Sequence, residues 1–332
     1  MYMEYFGLQD HPFRVTPDAR YLYLGTAHAR AMAYMEYTVW NRDSFVVITG
    51  EIGSGKTTLI QKLLSALDDR VVVARIYHTQ LDETEFLQAF LVDLGLDPFG
   101  LSKVQMLGRL NEFFLDQYAA GKRIVLVVDE SQNLSRRVLE EIRLLSGLET
   151  YQEKILNVIL VGQPELNELL DAPGMEQLVQ RVRLRFHIRP FDPVETRAYV
   201  EHRLGVAGAQ RQDIFTNDAY DPLYRYTGGT PRLINSLCDT ALICAYADGL
   251  KQIDATVVRT AVQELQWPTY EERMARNRGP APVLRVPPGR DGAAAAAPLE
   301  SGDVFRLLSE EITRLEERLN RIAGSLDPRI QG

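Results

Sequence analysis

One eight-residue stretch, residues 50–57, constrains the fold more than any other part of the chain. It reads Gly-Glu-Ile-Gly-Ser-Gly-Lys-Thr, follows a short apolar run and precedes a segment expected to be helical. Glycines at these positions let consecutive backbone N–H groups converge on a phosphate at a helix N-terminus. The sequence therefore predicts a phosphate-binding loop between a strand and a helix.

The side chains of this loop have separate expected roles. Lys56 would neutralise the β- and γ-phosphate oxygens of a nucleotide, and the Thr57 hydroxyl would ligate Mg²⁺. The predicted cofactors are thus ATP and Mg²⁺. The predicted nucleotide-binding residues are Gly50, Glu51, Ile52, Gly53, Ser54, Gly55, Lys56, Thr57 and Thr58.

Five short apolar runs predict a parallel sheet in an α/β domain. Most of them are continuously apolar rather than alternating, as strands covered by helices on both faces must be. Segments with helical spacing separate them. The runs are residues 45–49, 71–76, 124–128, 155–161 and 184–188.

Two adjacent carboxylates, Asp129 and Glu130, follow the third of these runs. Ligands bind at the carboxyl ends of strands in an α/β sheet, so Asp129 is expected to hold the Mg²⁺ shell. Glu130 is placed to orient and activate the attacking water. A strand followed by Asp-Glu also serves as a helix cap in many proteins, but its place downstream of a phosphate loop favours catalysis.

The chain changes character after the sheet. Residues 1–190 are predicted to form the nucleotide-binding domain, and residues 191–267 carry only helical periodicity, which predicts an all-α lid domain. A Gly-Gly-Thr-Pro-Arg element at 228–232 opens one lid helix, where Arg232 would reach back to the phosphates as a sensor-2 residue. A solvated arginine at a helix start is the alternative. A phosphate loop with such a lid favours an AAA+ ATP hydrolase over a metabolite kinase.

Two further positions are candidates for the reaction itself. Gln163 follows the fourth run, where a sensor-1 residue would contact the γ-phosphate or the water, although a plain turn-forming glutamine fits the same place. Arg181, Arg183 and Arg185 alternate into the fifth run and therefore share one face. Arg181 is the candidate arginine finger acting on a neighbouring subunit, which predicts a homo-oligomer, either a ring or a nucleotide-dependent assembly. A solvated basic edge would look the same.

The C-terminal part divides in two. Residues 268–300 are rich in Pro, Ala, Gly and Arg and are predicted to be a disordered linker. Residues 301–325 are predicted to form an amphipathic, coiled-coil-like helix that either folds back on the body or docks on a copy of itself or another protein. Its apolar seam is Phe305, Leu308, Ile312, Leu315, Leu319 and Ile322, at spacings of three and four.

Charge and hydropathy limit the partners. The net charge is −8, and it resides in residues 1–267 because acids and bases balance beyond them. Such a charge disfavours binding to nucleic acid without excluding a local basic groove. No membrane span or export signal is recognisable. The predicted location is the cytoplasm, with peripheral attachment to the inner membrane left open.

Several motifs taken together resemble one family. They lie at residues 5–8, 12–13, 16–18, 50–58, 128–134, 162–166 and 228–235, and they resemble those of GspA/ExeA-type AAA+ secretion ATPases. Residues 33–37, Ala-Tyr-Met-Glu-Tyr, and 79–82, Thr-Gln-Leu-Asp, are most similar to the branch found with exosortase (PEP-CTERM) systems.

The resemblance implies a P-loop AAA+ ATPase with a five-stranded parallel sheet, an all-α lid and a C-terminal amphipathic helix. It also implies an oligomerising cytoplasmic ATPase that serves envelope export or exopolysaccharide-linked protein sorting. Its partners would be proteins of those export or polysaccharide systems, bound through the C-terminal helix. The same core resembles transposition regulators that assemble on DNA, so a DNA-binding ATPase regulator is the alternative.

Overall fold

A five-stranded parallel sheet lies at the centre of the computed structural model, which describes residues 2–41, 45–148, 154–211 and 213–277. The order across the sheet is β2-β3-β4-β1-β5, and every neighbouring pair is parallel. The apolar runs therefore predicted the strands to within one residue at each end. The strands are β1 (Phe45–Gly50), β2 (Val71–Ile76), β3 (Arg123–Val128), β4 (Leu156–Gly162) and β5 (Leu184–Ile188).

The register of the sheet brings the predicted site residues to one edge. Thr49 at the end of β1 pairs with Gly162 of β4, and Val128 at the end of β3 pairs with Leu160. The residues that follow these three strands are the phosphate loop, Asp129 and Gln163. They emerge side by side because carboxyl ends of parallel strands meet at the same edge.

Helices cover both faces of the sheet, as the continuously apolar strands require. On one face α4, α5 and α6 bury Phe86, Phe90 and Phe114, and on the other α2 and α3 bury Met35 and Leu59. The helices of this part are α1 (Tyr2–Phe6), α2 (Thr26–Trp40), α3 (Lys56–Ser65), α4 (Glu83–Asp93), α5 (Lys103–Ala119), α6 (Arg136–Leu145), α7 (Glu165–Leu170) and α8 (Glu176–Val179).

An all-helical lid follows β5. Its first helix starts with a capping box in which Asp192 and Glu195 satisfy each other's backbone N–H groups, with Pro193 at the first helical position. The lid helices form a second apolar core. They are α9 (Pro193–Val206), α10 (Tyr220–Thr227), α11 (Pro231–Ala247) and α12 (Ala255–Glu264).

A further helix, α13 (Tyr270–Asn277), lies inside the segment predicted as a linker from residue 268. Its start is capped, because the Thr269 N–H donates to the Glu272 carboxylate at 2.9 Å and the Glu272 N–H donates to the Thr269 hydroxyl at 3.3 Å. The prediction followed the proline and glycine content of the whole segment and overlooked this local capping pair. Ordered structure therefore extends past the predicted linker boundary.

The N-terminal segment, residues 2–23, packs on the lid although its sequence position placed it in the predicted domain 1–190. Phe6, Leu8, Phe13 and Tyr21 are buried in the lid core. The Phe13 ring meets the Phe215 ring edge-on at 6.1 Å between centroids. Apolar burial near the lid thus overrides chain order in deciding where this segment lies.

All described residues belong to one compact unit. Within the described ranges, no helix is both long enough and apolar enough to cross a bilayer. The rest of the predicted linker and the predicted helix at 301–325 lie outside the described residues.

Candidate functional site

The phosphate loop has the backbone that its glycines predict. Gly53 and Gly55 adopt φ values of +80° and +92°, in the left-handed region that favours glycine. Helix α3 then begins at Lys56, with Gly55 at its N-cap. The loop therefore leads directly into a helix N-terminus, which attracts anions through its free N–H groups and its dipole.

The Lys56 ammonium is folded back over its own loop. Its Nζ donates to the carbonyl oxygens of Gly50 at 2.7 Å and Glu51 at 3.0 Å. Burial lowers the pKa of Lys56, while the negative charges of Glu130 and Asp129 oppose that shift. Among the described residues its hydrogen bonds go to neutral carbonyls, which a buried cation can exchange for phosphate oxygens.

Thr57 and Asp129 form the predicted metal-binding pair. The Thr57 hydroxyl donates to Asp129 Oδ2 at 2.8 Å, and the Asp129 side chain is buried. Burial raises the pKa of Asp129, and hydrogen bonds from Thr57 and from the Glu130 N–H oppose that rise. In the described part of the chain no cluster of three or more His, Cys, Asp or Glu residues is suited to bind a metal. Two oxygen ligands fit Mg²⁺, which takes few protein ligands and completes its shell with nucleotide phosphates and water.

Glu130 lies beside this pair in a constrained conformation. Its backbone has φ +51° and ψ +38°, uncommon for a residue with a side chain. Its Oε2 accepts hydrogen bonds from Gln132 Nε2 at 2.6 Å and Gln163 Nε2 at 3.2 Å. Partial burial raises the pKa of Glu130, but these two hydrogen bonds and the Lys56 charge outweigh it, so the pKa lies below its ordinary value. The carboxylate is ionised and oriented, as a general base must be.

Gln132 is a site residue that the sequence reasoning missed. Its Nε2 donates to Glu130, and its Oε1 accepts the Gln163 N–H at 3.0 Å, so one amide joins the ends of β3 and β4. Its position two residues after Glu130 in the 128–134 motif was the available signal. The predicted candidates Glu130 and Gln163 are therefore in direct contact, with Gln132 bridging them.

Arg232 lies at the start of α11 and contacts the phosphate loop. Its backbone N–H donates to the Gly53 carbonyl at 3.1 Å. A Cβ on Gly53 would come within 2.4 Å of the Arg232 Cβ, so only glycine allows this approach. The side chain of Arg232 lines the same cavity as Lys56, Thr57 and Glu130. The lid thus brings a cation to the phosphate end of the cavity.

This cavity has a volume of about 420 Å³. The phosphate loop forms one wall, and the lid and residues 14–18 of the N-terminal segment form others. Its size lies in the range of about 300–1,000 Å³ typical of ligand pockets. The sequence predicted the phosphate end but not the N-terminal wall, for which the motifs at residues 12–13 and 16–18 were the available signal.

His28 of α2 contacts both the phosphate loop and Phe191, the residue with which the lid begins. Its Nε2 donates to the Ser54 carbonyl at 2.7 Å, and its ring lies 4.9 Å from the Phe191 ring, centroid to centroid. Burial lowers the pKa of His28, which keeps the imidazole neutral near pH 7. Sequence reasoning did not single out His28.

The three arginines near β5 have different surroundings. Arg181 Nη1 donates to the Arg143 carbonyl at 2.8 Å and the Ser146 hydroxyl at 3.1 Å, at the C-terminal end of α6. Arg185 pairs with Asp171 at 2.8 Å. Arg183 is exposed and makes no ion pair or side-chain hydrogen bond with any described residue. Arg181, the predicted arginine finger, therefore binds within its own chain, because the C-terminal end of a helix attracts a cation.

The sheet order, the phosphate loop and the carboxylate pair are those of the P-loop AAA+ ATPase fold. An AAA domain matches residues 40–170. The chain is similar to general secretion pathway protein A from Aeromonas hydrophila, with 42% identity over 254 residues. That match covers 76% of this chain and 46% of the relative, so the chain spans about half the length of the curated relative it matches.

Solved structures show the same fold at low sequence identity. The Aeropyrum pernix ORC2 protein, solved as ADPNP-ADP complexes, is 16% identical with a TM-score of 0.59, covering 77% of this chain and 72% of that one. Cdc6p from Pyrobaculum aerophilum is 16% identical with a TM-score of 0.59, covering 77% and 73%. These similarities establish the architecture of sheet and lid.

Proposed function

We propose that this ATPase binds and hydrolyses MgATP to drive or regulate the assembly of an envelope export system. The convergence of Lys56, Thr57, Asp129 and Glu130 at one sheet edge is the observation that carries the hydrolytic part. The 42% identity to general secretion pathway protein A supports the export part.

The hydrolytic mechanism follows from the positions of these side chains. Lys56 exchanges its loop carbonyls for β- and γ-phosphate oxygens, and Thr57 and Asp129 would hold Mg²⁺. Mg²⁺, when bound, supplies charge neutralisation on the transferring phosphoryl group. Glu130 takes a proton from the attacking water while Gln163 hydrogen-bonds the reacting oxygens. Arg232 adds a positive charge from the lid as the phosphate separates.

A neighbouring subunit completes the site in this proposal. AAA+ hydrolysis uses an arginine supplied across an interface, and Arg181 and Arg183 lie just before β5. Arg181 acts in trans only if its bonds to α6 break. Arg183 is exposed and has no side-chain partner among the described residues, so it is free to contact a neighbouring subunit without that cost. We therefore propose a homo-oligomer with Arg183 as the first candidate for the finger and Arg181 as the second.

The cellular setting is proposed from sequence. The motifs at 33–37 and 79–82 favour an export system of the exosortase (PEP-CTERM) type linked to exopolysaccharide, and the homologue favours a general-secretion-like system. The amphipathic segment 301–325 would bind the export or polysaccharide proteins. The chain would then work in the cytoplasm at the inner membrane surface.

Hydrolysis is tested with matched variants. Lys56→Ala should abolish nucleotide binding, and Glu130→Gln should retain binding of a fluorescent ATP analogue while losing turnover. Lys62→Ala is the control, because Lys62 is exposed on the same helix α3. Phosphate release that persists unchanged in Glu130→Gln would overturn the assignment of the base.

The export role is tested separately. A Glu130→Gln trap purified from the native cell should carry envelope-system proteins, and deleting residues 300–332 should release them while leaving basal hydrolysis nearly intact. Duplex DNA that stimulates hydrolysis, with a steep loss between low and moderate salt, would instead support the DNA-binding regulator, since counterion release makes phosphate binding salt-dependent.

A further inference from the structure

Arg203 of α9 is a buried guanidinium that pairs with no carboxylate in the described residues; its relative exposure is 6%. Its Nε donates to the Pro12 carbonyl and its Nη2 to the Arg14 carbonyl at 3.2 Å. Its Nη1 donates to the Tyr199 hydroxyl at 2.8 Å. The Tyr21 ring lies 4.9 Å from its Cζ, within cation–π range.

These partners explain why the fold keeps a charge in this position. Burying a guanidinium costs several kcal/mol unless its donors are satisfied. Two of the groups that satisfy Arg203 are backbone carbonyls some 190 positions away along the chain. A hydrophobic residue would fill the volume without fixing those carbonyls. The charge therefore serves to hold the N-terminal segment at this point.

The part of the segment held in this way is the strap, defined as residues 12–21. Its stretch 14–18 lines the nucleotide cavity and has no regular secondary structure before the 3-10 turn Ala19–Tyr21. Its other polar contacts are local, such as Arg14 to Asp10 at 2.7 Å. Upstream of the strap, Gln9 N–H donates to the Ala207 carbonyl at 2.8 Å, again on the lid. Arg203, which itself lines the cavity, thus acts with the buried Phe13 and Tyr21 rings to fix the strap where it begins to cross the cavity.

We propose that Arg203 is a positioning residue for the nucleotide, which holds the strap as the wall of the cavity facing the base and ribose. This inference rests on the proposed ATP-binding function. Lys56, Thr57 and Glu130 act on phosphates at the other wall. The strap side offers Pro17, the Tyr21 ring and polar backbone, which suit a flat base and a sugar.

Two consequences distinguish positioning from general stability. First, losing the Arg203 bonds weakens ground-state and transition-state binding equally, so KM rises while kcat stays near its original value. Second, coupling is reciprocal: if a docked strap strengthens nucleotide binding, then bound nucleotide strengthens docking of the strap. Trypsin cleavage after the exposed Arg14 and Arg20 reports that docking.

The experiment compares Arg203→Lys with Arg197→Lys in the full chain. Arg197 lies on the same helix in an exposed ion pair with Glu201 and away from the cavity, so it is the matched control. Arg203→Lys should raise KM for ATP and the Kd of a fluorescent ATP analogue roughly tenfold, the effect of losing about one charge-assisted hydrogen bond, with kcat changed less than about twofold. Cleavage after Arg14 should accelerate in the absence of nucleotide and slow again with saturating ATP. Arg197→Lys should change neither quantity.

A milder variant guards against misfolding. Tyr199→Phe removes one partner of Arg203 and keeps the ring, so it should shift KM in the same direction by a smaller factor. Faster cleavage with unchanged KM, or a loss confined to kcat, would overturn the positioning role. A wild-type chain that binds no ATP analogue would refute the proposed function itself, which is a different result.

Discussion

Gly229 lies between α10 and α11 and packs against the Phe191 backbone, at the junction of sheet and lid. Replacing it with alanine tests whether this close contact sets the position of the lid. Gly229 has φ +73°, and its carbonyl accepts the Phe191 N–H at 3.0 Å. A Cβ at Gly229 would lie 1.8 Å from the Phe191 carbonyl oxygen, whereas ordinary contact begins at 3.4 Å. Since both groups are backbone, one of the two connecting segments has to move.

The expected magnitude has three parts. Alanine in the left-handed region costs about 1–2 kcal/mol. Overpacking against a fixed backbone adds about 1–3 kcal/mol, and the weakened Phe191 hydrogen bond adds about 1 kcal/mol. Gly229→Ala should therefore lower the free energy of unfolding by about 3–6 kcal/mol. It should also lower kcat, because Arg232 lies three residues later in α11, which the substitution displaces.

Gly249→Ala is the matched control, because Gly249 has φ +70° and nothing within 4 Å of an added Cβ. It carries the same backbone strain without the clash, so it should lose only about 1–2 kcal/mol and keep its ATPase activity. Urea denaturation gives the free energies, and phosphate release gives kcat. Equal losses in the two variants, with hydrolysis intact in both, would refute the role of the Gly229 contact.

Three further predictions concern single side chains. Gln132→Ala should lower kcat by roughly ten- to a hundredfold with little change in KM, because the Glu130 carboxylate loses the hydrogen bond that orients it. Steady-state kinetics measure both constants, and a change in KM alone would contradict the prediction. Burial holds the pKa of His28 below its ordinary value, so as the pH decreases below about 6.5 the unfolded chain gains a proton that the folded chain does not, and stability should decrease. His28→Gln should make Tm less dependent on pH over this range, and an unchanged slope of Tm against pH would contradict the prediction. Mixing Arg183→Ala subunits with Lys56→Ala subunits should restore part of the ATPase activity, because each variant supplies the group that the other lacks. Arg181→Ala should lower Tm and restore no activity in the same mixture, and the reverse pattern would assign the trans role to Arg181.

The strands and the phosphate end of the site were predictable because their signals are local. A strand buried on both faces must be continuously apolar, so β1 and β3 stand out in the sequence without knowledge of their neighbours. The loop at 50–57 encodes its own conformation, since its glycines adopt the positive φ values that it requires. The pair Asp129 and Glu130 followed from the end of β3.

The strap side of the cavity was not predictable from periodicity, because its contacts are made with residues far away along the chain. Phe13 and Tyr21 follow no two- or 3.6-residue period, because they pack as single aromatic anchors on helices about two hundred residues away. Arg203 looks like any arginine of an amphipathic helix until its partners, two distant carbonyls, are known. Arg181 was predicted as the finger because it lies furthest upstream of the three arginines, outside the apolar strand core, and that position says nothing of the Arg143 carbonyl and the Ser146 hydroxyl that bind its side chain.

The packing of residues 2–23 on the lid has a consequence for biosynthesis. This segment leaves the ribosome before the lid, because Tyr199 and the rest of its binding surface are translated about 180–240 residues later. At roughly 5–20 residues per second, that is a delay of tens of seconds at the slower end. During that interval its aromatic side chains have no native partner and the nucleotide cavity lacks a wall. The nascent chain is therefore exposed to chaperones for the whole synthesis of the sheet, and ATP can help complete folding only after α11 has emerged.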